Sequence, residues 1–138
     1  MTESLIIMGI NAPRIHQEII ARLIYALSHL YFTGQSTLFP YPETMIDEGQ
    51  TSPVPDIMLV NRKTDLTQVI IEITHTQGVK KDSRKLVELI REYDVPEGFV
   101  YDYKQQVWYR FTQAQSEAVN DSYCEALGQD LAGLLEMA

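Results

Sequence analysis

Two apolar runs separated by a short polar segment constrain the fold of this chain more than any other feature. The first covers residues 55–60 (PDIMLV) and the second covers residues 69–74 (VIIEIT). Short runs that are rich in β-branched residues and joined by a polar turn predict two paired strands. We therefore expect a β-sheet at the centre of the chain.

Each run carries one carboxylate, Asp56 in the first and Glu72 in the second. Burying a carboxylate among apolar side chains is costly unless a positive group lies beside it. Two carboxylates on adjacent strands repel each other, so a divalent cation, Mg²⁺ or Mn²⁺, is their natural partner. If both side chains lie on the same face of the sheet, they can ligate one cation. The alternative is that both are solvent-facing residues at strand ends.

Length and composition are those of an ordinary soluble protein. The chain has 138 residues, of which 45% are hydrophobic and 22% are charged, so we expect one domain over residues 1–138. No apolar run approaches the roughly 20 residues that a membrane span requires, and no signal-peptide pattern is present. Cys124 is the only cysteine, which excludes an internal disulfide and fits a reducing cytoplasm.

The net charge of −8 argues against general binding to nucleic acid, but the charge is unevenly distributed. Residues 61–91 hold seven of the eleven basic residues and four acidic residues, which gives this segment a charge of +3. The rest of the chain carries −11. The basic segment is either a solvated face or a local site for phosphates.

The remaining patterns predict helices on either side of this sheet. A strand is expected over 5–10, and helical spacing from Asn11 and Pro13 to Gly34 predicts a long helix. An extended segment near Thr37 to Tyr41 precedes an acidic loop at 47–49. A second helix is expected from a cap at Asp82 or Ser83 to Pro96. A hairpin at 99–101 and 107–111 and weak helical periodicity over 122–137 complete an α/β fold with a central mixed sheet flanked by helices.

The order and spacing of short motifs over residues 8–111 resemble the PD-(D/E)XK nuclease superfamily, and most of all its Uma-type restriction endonuclease family. The matching features include the following residues: Pro13, His16, Pro55, Asp56, Glu72, Asp82, Lys85, Pro96 and Asp102. The resemblance implies a restriction-endonuclease-like fold and Mg²⁺-dependent hydrolysis of phosphodiester bonds, with DNA as the expected substrate. It also implies a metal held by Asp56, Glu72 and the Ile73 carbonyl, with Glu18 as a further ligand.

The chain departs from the superfamily pattern at Thr74. Members commonly have lysine two residues after the glutamate, where its charge holds and acidifies the attacking water. This chain resembles the Uma-type family in lacking that lysine. Members of that family use a lysine from the following helix instead, which here is Lys85. Lys85 is therefore expected to position the water or stabilise charge on the phosphate. Its alternative role is that of an exposed lysine on a helix surface.

Several other residues have two interpretations each. Three basic residues that follow Glu72 are placed to bind substrate phosphates, namely Lys80, Lys81 and Arg84. His16 either belongs to the site or satisfies local hydrogen bonds, and Asp102 either belongs to the site or caps a turn. Apolar residues of the tail serve either an interface or the core: Leu127, Leu131, Leu134, Leu135 and Met137.

Three functions follow from these residues. The leading one is a nuclease, expected to form homodimers because small nucleases of this fold often do. The alternative is a catalytically silent nuclease-fold protein that binds or regulates, which Thr74 and the acidic charge favour. An active site requires Asp56, Glu72 and Lys85 to lie together in space. A third alternative, an unrelated α/β domain, requires Asp56 and Glu72 to lie on opposite faces of the sheet.

Overall fold

A computed structural model describes residues 13–47 and 53–138 of the chain. The helices are α1 (Arg14–Phe32), α2 (Val79–Tyr93) and α3 (Leu131–Met137). The strands are β1 (Leu38–Pro42), β2 (Ile57–Asn61), β3 (Leu66–Thr74), β4 (Glu97–Asp102), β5 (Val107–Thr112), β6 (Val119–Asn120), β7 (Tyr123–Cys124) and β8 (Gln129–Asp130).

Strands β1 to β6 form one mixed sheet in sequential order, and β7 pairs with β8 in a separate ribbon. Within the large sheet β3 and β4 are parallel, and every other neighbouring pair is antiparallel. The crossover between the parallel strands is α2, as a parallel connection requires. The apolar runs identified in the sequence are therefore β2 and β3, and they pair with Ile57 opposite Ile71.

Alternation of side chains along the strands divides the core into two layers. On one face Ile57, Ile71 and Phe99 pack with α1 and α3, and on the other face Ile70 and Val100 pack with α2. The tail helix α3 buries Leu131 and Leu135 in the first layer and leaves Met137 exposed. The apolar tail thus closes the core, which was one of its two predicted roles.

The α/β fold with a central mixed sheet and flanking helices is confirmed, whereas two predicted element starts are wrong. Helix α2 begins at Val79 rather than after a cap at Asp82 or Ser83, because a single 3-10 turn over Thr76–Gly78 leads directly into it. Asp82 lies in its first turn, where a carboxylate interacts favourably with the helix dipole.

Helix α1 begins at Arg14, so Pro13 precedes the helix instead of lying within its first turn. The predicted strand over 5–10, the Asn11 cap and most of the acidic loop at 47–49 lie outside the described residues. In the part of the chain that the structure describes, no helix is long and apolar enough to cross a membrane.

Candidate active site

The end of β3 and the residues that precede β2 bring Asp56 and Glu72 close together. Asp56 comes one residue before β2, and its Oδ2 accepts a hydrogen bond from the backbone N–H of Ile73 at 2.8 Å. The backbone pairing of β2 with β3 ends at Ile57, and this side-chain bond ties the preceding residue, Asp56, to β3 as well. Asp56 is therefore fixed against the same end of β3 that carries Glu72.

Glu72 lies inside the sheet layer, with only 1% of its surface exposed. Lys85 extends from α2 and donates hydrogen bonds to Oε1 of Glu72 at 3.0 Å and to the carbonyl of Val54 at 2.8 Å. The other carboxyl oxygen, Oε2, is buried and has no hydrogen-bond partner among the described residues. A buried oxygen without a partner is unfavourable, so this position favours a proton or a cation.

The pKa of Glu72 is strongly perturbed by its surroundings. Burial, and to a smaller extent the charge of nearby Asp56, raise the pKa of its carboxyl from 4.5 to about 8, although Lys85 acts to lower it. Glu72 therefore holds a proton near neutral pH unless a cation replaces it.

His16 is the second group that contacts Asp56. Its Nε2 lies 3.2 Å from Oδ2 of Asp56, and its Nδ1 lies 3.3 Å from Oε1 of Gln17. The hydrogen bond to Asp56 is the main reason that the pKa of His16 is raised above its ordinary value. His16 had two predicted roles, and the structure places it next to Asp56 as well as in a local hydrogen bond.

Thr74 lies two residues after Glu72, at the end of β3. It is buried, and its hydroxyl donates to the carbonyl of His75 at 3.3 Å. A side chain at Gly78 would collide with this hydroxyl, so glycine is required where the chain passes Thr74. Thr74 supplies no charge, and the positive group beside Glu72 comes from Lys85 instead.

A groove of about 270 Å³ lies near Asp56, at the carboxyl ends of β3 and β4, although Asp56 and Glu72 do not line it themselves. Its wall includes the residues that contact Asp56, namely His16 and Ile73, and it also includes Lys81 and Asp82. Of the three cations predicted to bind phosphate, Lys81 lines this groove, while Lys80 and Arg84 are exposed on α2. A larger apolar groove of about 390 Å³ borders α1 and α3, and neither Asp56 nor Glu72 lines it.

Asp82 is a third acidic side chain near the pair, since its charge also raises the pKa of Glu72. Glu18 is exposed on α1, and within residues 13–47 and 53–138 no group of three or more His, Cys, Asp or Glu side chains is arranged to hold a metal ion. The oxygen donors near one another are Asp56, Glu72 and the backbone of Ile73. A role for Glu18 stays a prediction.

Asp102 had two predicted roles, and the structure shows it capping a turn. Its Oδ1 accepts the backbone N–H groups of Lys104 and Gln105, and its Oδ2 accepts the hydroxyl of Thr76 at 2.8 Å. The carboxylate thus caps the β4–β5 turn and ties it to the start of the α2 crossover.

Sequence reasoning missed a further buried carboxylate, Glu97. Oε2 of Glu97 pairs with Arg110 at 2.9 Å, and Oε1 accepts the backbone N–H of Ala126 at 2.8 Å. These bonds anchor the segment that follows β7 to the sheet. In the observed β4–β5 pairing Arg110 lies opposite Phe99, two residues from Glu97 on the same face of the sheet, and the predicted hairpin specified no register that would have revealed this pair.

Comparisons with known proteins bear on the fold. No protein-family model and no curated protein sequence matches the chain. A solved structure of a candidate nuclease belonging to DUF820 from Anabaena variabilis is similar, with a TM-score of 0.67 and 15% identity over 90% of this chain and 83% of that one. The type IIG restriction endonuclease BpuSI is similar with a TM-score of 0.55 and 13% identity over 98% of this chain and 17% of the enzyme. The chain therefore has a restriction-endonuclease-like fold.

Proposed function

We propose that this chain is a metal-dependent nuclease that hydrolyses phosphodiester bonds, with DNA as its substrate. The observation that carries the proposal is the state of Glu72. It is a buried carboxylate next to Asp56, with Lys85 on one oxygen and no partner within the described residues on the other. A stable core gains little from such a residue, whereas a cation site requires it.

The donor set fits a hard divalent cation. Mg²⁺ binds through oxygen atoms, using one or two carboxylates together with waters and substrate phosphates. Asp56, Glu72 and the carbonyl of Ile73 would hold it, because the N–H and C=O of one strand residue point towards the same neighbour and the N–H of Ile73 already meets Asp56. When bound, such a cation polarises a phosphoryl oxygen and lowers the pKa of a coordinated water.

The other side chains orient the reactants. Lys85 places its ammonium group at Glu72, where it can hold the attacking water or stabilise negative charge on the phosphate. Lys81 lines the groove beside Asp56 and would bind a phosphate of the same strand, with Lys80 and Arg84 contributing from the exposed side of α2. These cations would supply the local positive field that the acidic chain otherwise lacks.

A silent nuclease-fold protein that binds or regulates is the second candidate. The observation that favours it is that Lys85 already uses two of its three donors, on Glu72 and on Val54. With the neutral Thr74 at the usual lysine position, this pairing is also what a purely structural ion pair would look like.

Metal binding and cleavage together separate the two candidates. Titration calorimetry with Mg²⁺ and Mn²⁺ should show binding that disappears in Asp56→Ala and in Glu72→Ala. Glu88→Ala, an exposed glutamate on α2, is the matched control. Incubation with plasmid and with single-stranded DNA should then give Mg²⁺-dependent cleavage. Absence of cleavage of either substrate at millimolar Mg²⁺ would favour the silent protein.

The proposal includes a homodimer, since a nuclease that cuts both strands of a duplex needs two sites. Light scattering of the purified chain, with and without duplex DNA, measures the mass directly. A monomer in both conditions would restrict the enzyme to nicking or to single strands.

A further inference from the structure

Oδ2 of Asp56 is held from two sides. The backbone N–H of Ile73 reaches it from β3 at 2.8 Å, and Nε2 of His16 reaches it from α1 at 3.2 Å. Because a carboxylate only accepts hydrogen bonds, both groups act as donors. Within the described ranges no donor bonds to Oδ1.

The imidazole of His16 is itself fixed. Pro13 precedes α1, and the N–H of His16 bonds to the Pro13 carbonyl at 3.0 Å in the first turn. Gln17 lies 3.3 Å from Nδ1, so both ring nitrogens have a neighbour. The start of α1 thus presents a constrained donor to Asp56, forty positions away in the sequence.

We propose that His16 is a positioning residue for Asp56. Together with the Ile73 amide it occupies Oδ2 and leaves Oδ1 as the one oxygen that Asp56 offers to a ligand. This inference rests on the proposed function, in which that ligand is a divalent cation. Hydrogen bonds from an outer partner orient ligating carboxylates, and their loss typically weakens metal binding by about 10- to 100-fold.

A purely structural role for His16 predicts a different result. If His16 only ties α1 to the sheet, its removal lowers the free energy of unfolding and leaves the metal affinity of the folded protein unchanged. The metal affinity of a folded variant therefore separates positioning from anchoring.

The experiment compares His16→Ala with His16→Gln, whose amide nitrogen can donate from nearly the same place as Nε2. His29→Ala, an exposed histidine on the same helix, is the control. Calorimetry gives the Mn²⁺ and Mg²⁺ affinities, and urea unfolding shows that each variant is folded. In the absence of metal, the amide signal of Ile73 in a nitrogen-15 NMR spectrum reports on its hydrogen bond to Oδ2 of Asp56.

We expect His16→Ala to bind metal about 10- to 100-fold more weakly and to shift the Ile73 amide signal, and His16→Gln to restore both to within about threefold of the wild type. Unchanged metal affinity in His16→Ala, or an unmoved Ile73 signal, would overturn the inference. If the wild type binds no metal, the proposed function fails, and the Ile73 signal alone still decides whether His16 positions Asp56.

Discussion

The ammonium group of Lys85 lies 3.0 Å from Oε1 of Glu72, which links α2 to β3 across the sheet face. The two side chains differ in their environment, since Lys85 is 26% exposed and Glu72 is 1% exposed. Water can stabilise the lysine but not the carboxylate. The protonation state of Glu72 therefore responds to pH, to metal and to the loss of Lys85.

The first prediction concerns stability against pH in the absence of metal. The folded protein keeps the Glu72 proton until its pKa of about 8, whereas the unfolded chain releases it near 4.5. The stability contributed by this proton is thus fully present below pH 4.5 and is lost as pH rises through about 8. Glu72→Gln, which does not titrate, should have a flatter profile in urea unfolding with a chelator present. An equally steep decline in this variant would contradict the prediction.

Metal affinity should have the opposite dependence on pH. A cation must displace the Glu72 proton, so Mg²⁺ binding should strengthen as pH rises towards the pKa of about 8 and level off above it. Calorimetry near neutral pH in buffers of different ionisation enthalpy should detect a proton released on binding. Binding that releases no proton would show that Glu72 is already ionised or is not a ligand.

Replacing Lys85 should separate chemistry from metal binding. Because Lys85 lowers the pKa of Glu72, Lys85→Met should raise that pKa further. We expect cleavage to fall by at least about 100-fold, as for the loss of a group that acts on the attacking water. Metal binding at high pH should persist. Arg91→Met, an exposed cation in the last turn of the same helix, should retain activity.

The sequence predicted the parts of the site that depend on local pattern. Two β-branched runs with a short polar connection can pair in few ways, and this pairing brings Asp56 and Glu72 to one end of the sheet. Lys85 was predicted only by family resemblance, because the direction of a helix side chain depends on how the helix rotates against the sheet. That rotation is set by packing of α2 on β4.

The contacts that sequence reasoning missed are all distant in the chain. His16 meets Asp56 only after α1 has docked on the sheet, and Oε1 of Glu97 accepts the N–H of Ala126 only when the segment after β7 folds back to it. That segment has weak periodicity and forms two short strands before α3. Such contacts have no local signature, because tertiary packing creates them.

Gly98 should influence the position of Lys85 through the packing of α2 on β4. A Cβ at Gly98 would lie 2.7 Å from Cδ1 of Leu86 and 3.2 Å from the carbonyl of Ile70. Gly98→Ala therefore forces the Leu86 side chain and the backbone of Ile70 to shift, at a cost of about 1–3 kcal/mol for an overpacked core. We expect a lower urea midpoint and reduced cleavage. Gly133→Ala is the control, since its nearest neighbour would lie 3.7 Å away. Equal stability of the two variants would contradict close packing at Gly98.

The groove beside Asp56 predicts a ranking among the surface cations. Lys81 lines it, so Lys81→Ala should weaken DNA binding more than Lys80→Ala or Arg84→Ala, and Lys63→Ala in the distant β2–β3 turn should have no effect. Each lost phosphate contact should reduce the slope of log affinity against log salt by about 0.7 to 0.9. Fluorescence anisotropy with calcium in place of magnesium measures affinity without cleavage. A salt slope that Lys81→Ala leaves unchanged would place the phosphates elsewhere on the surface, away from the end of β3.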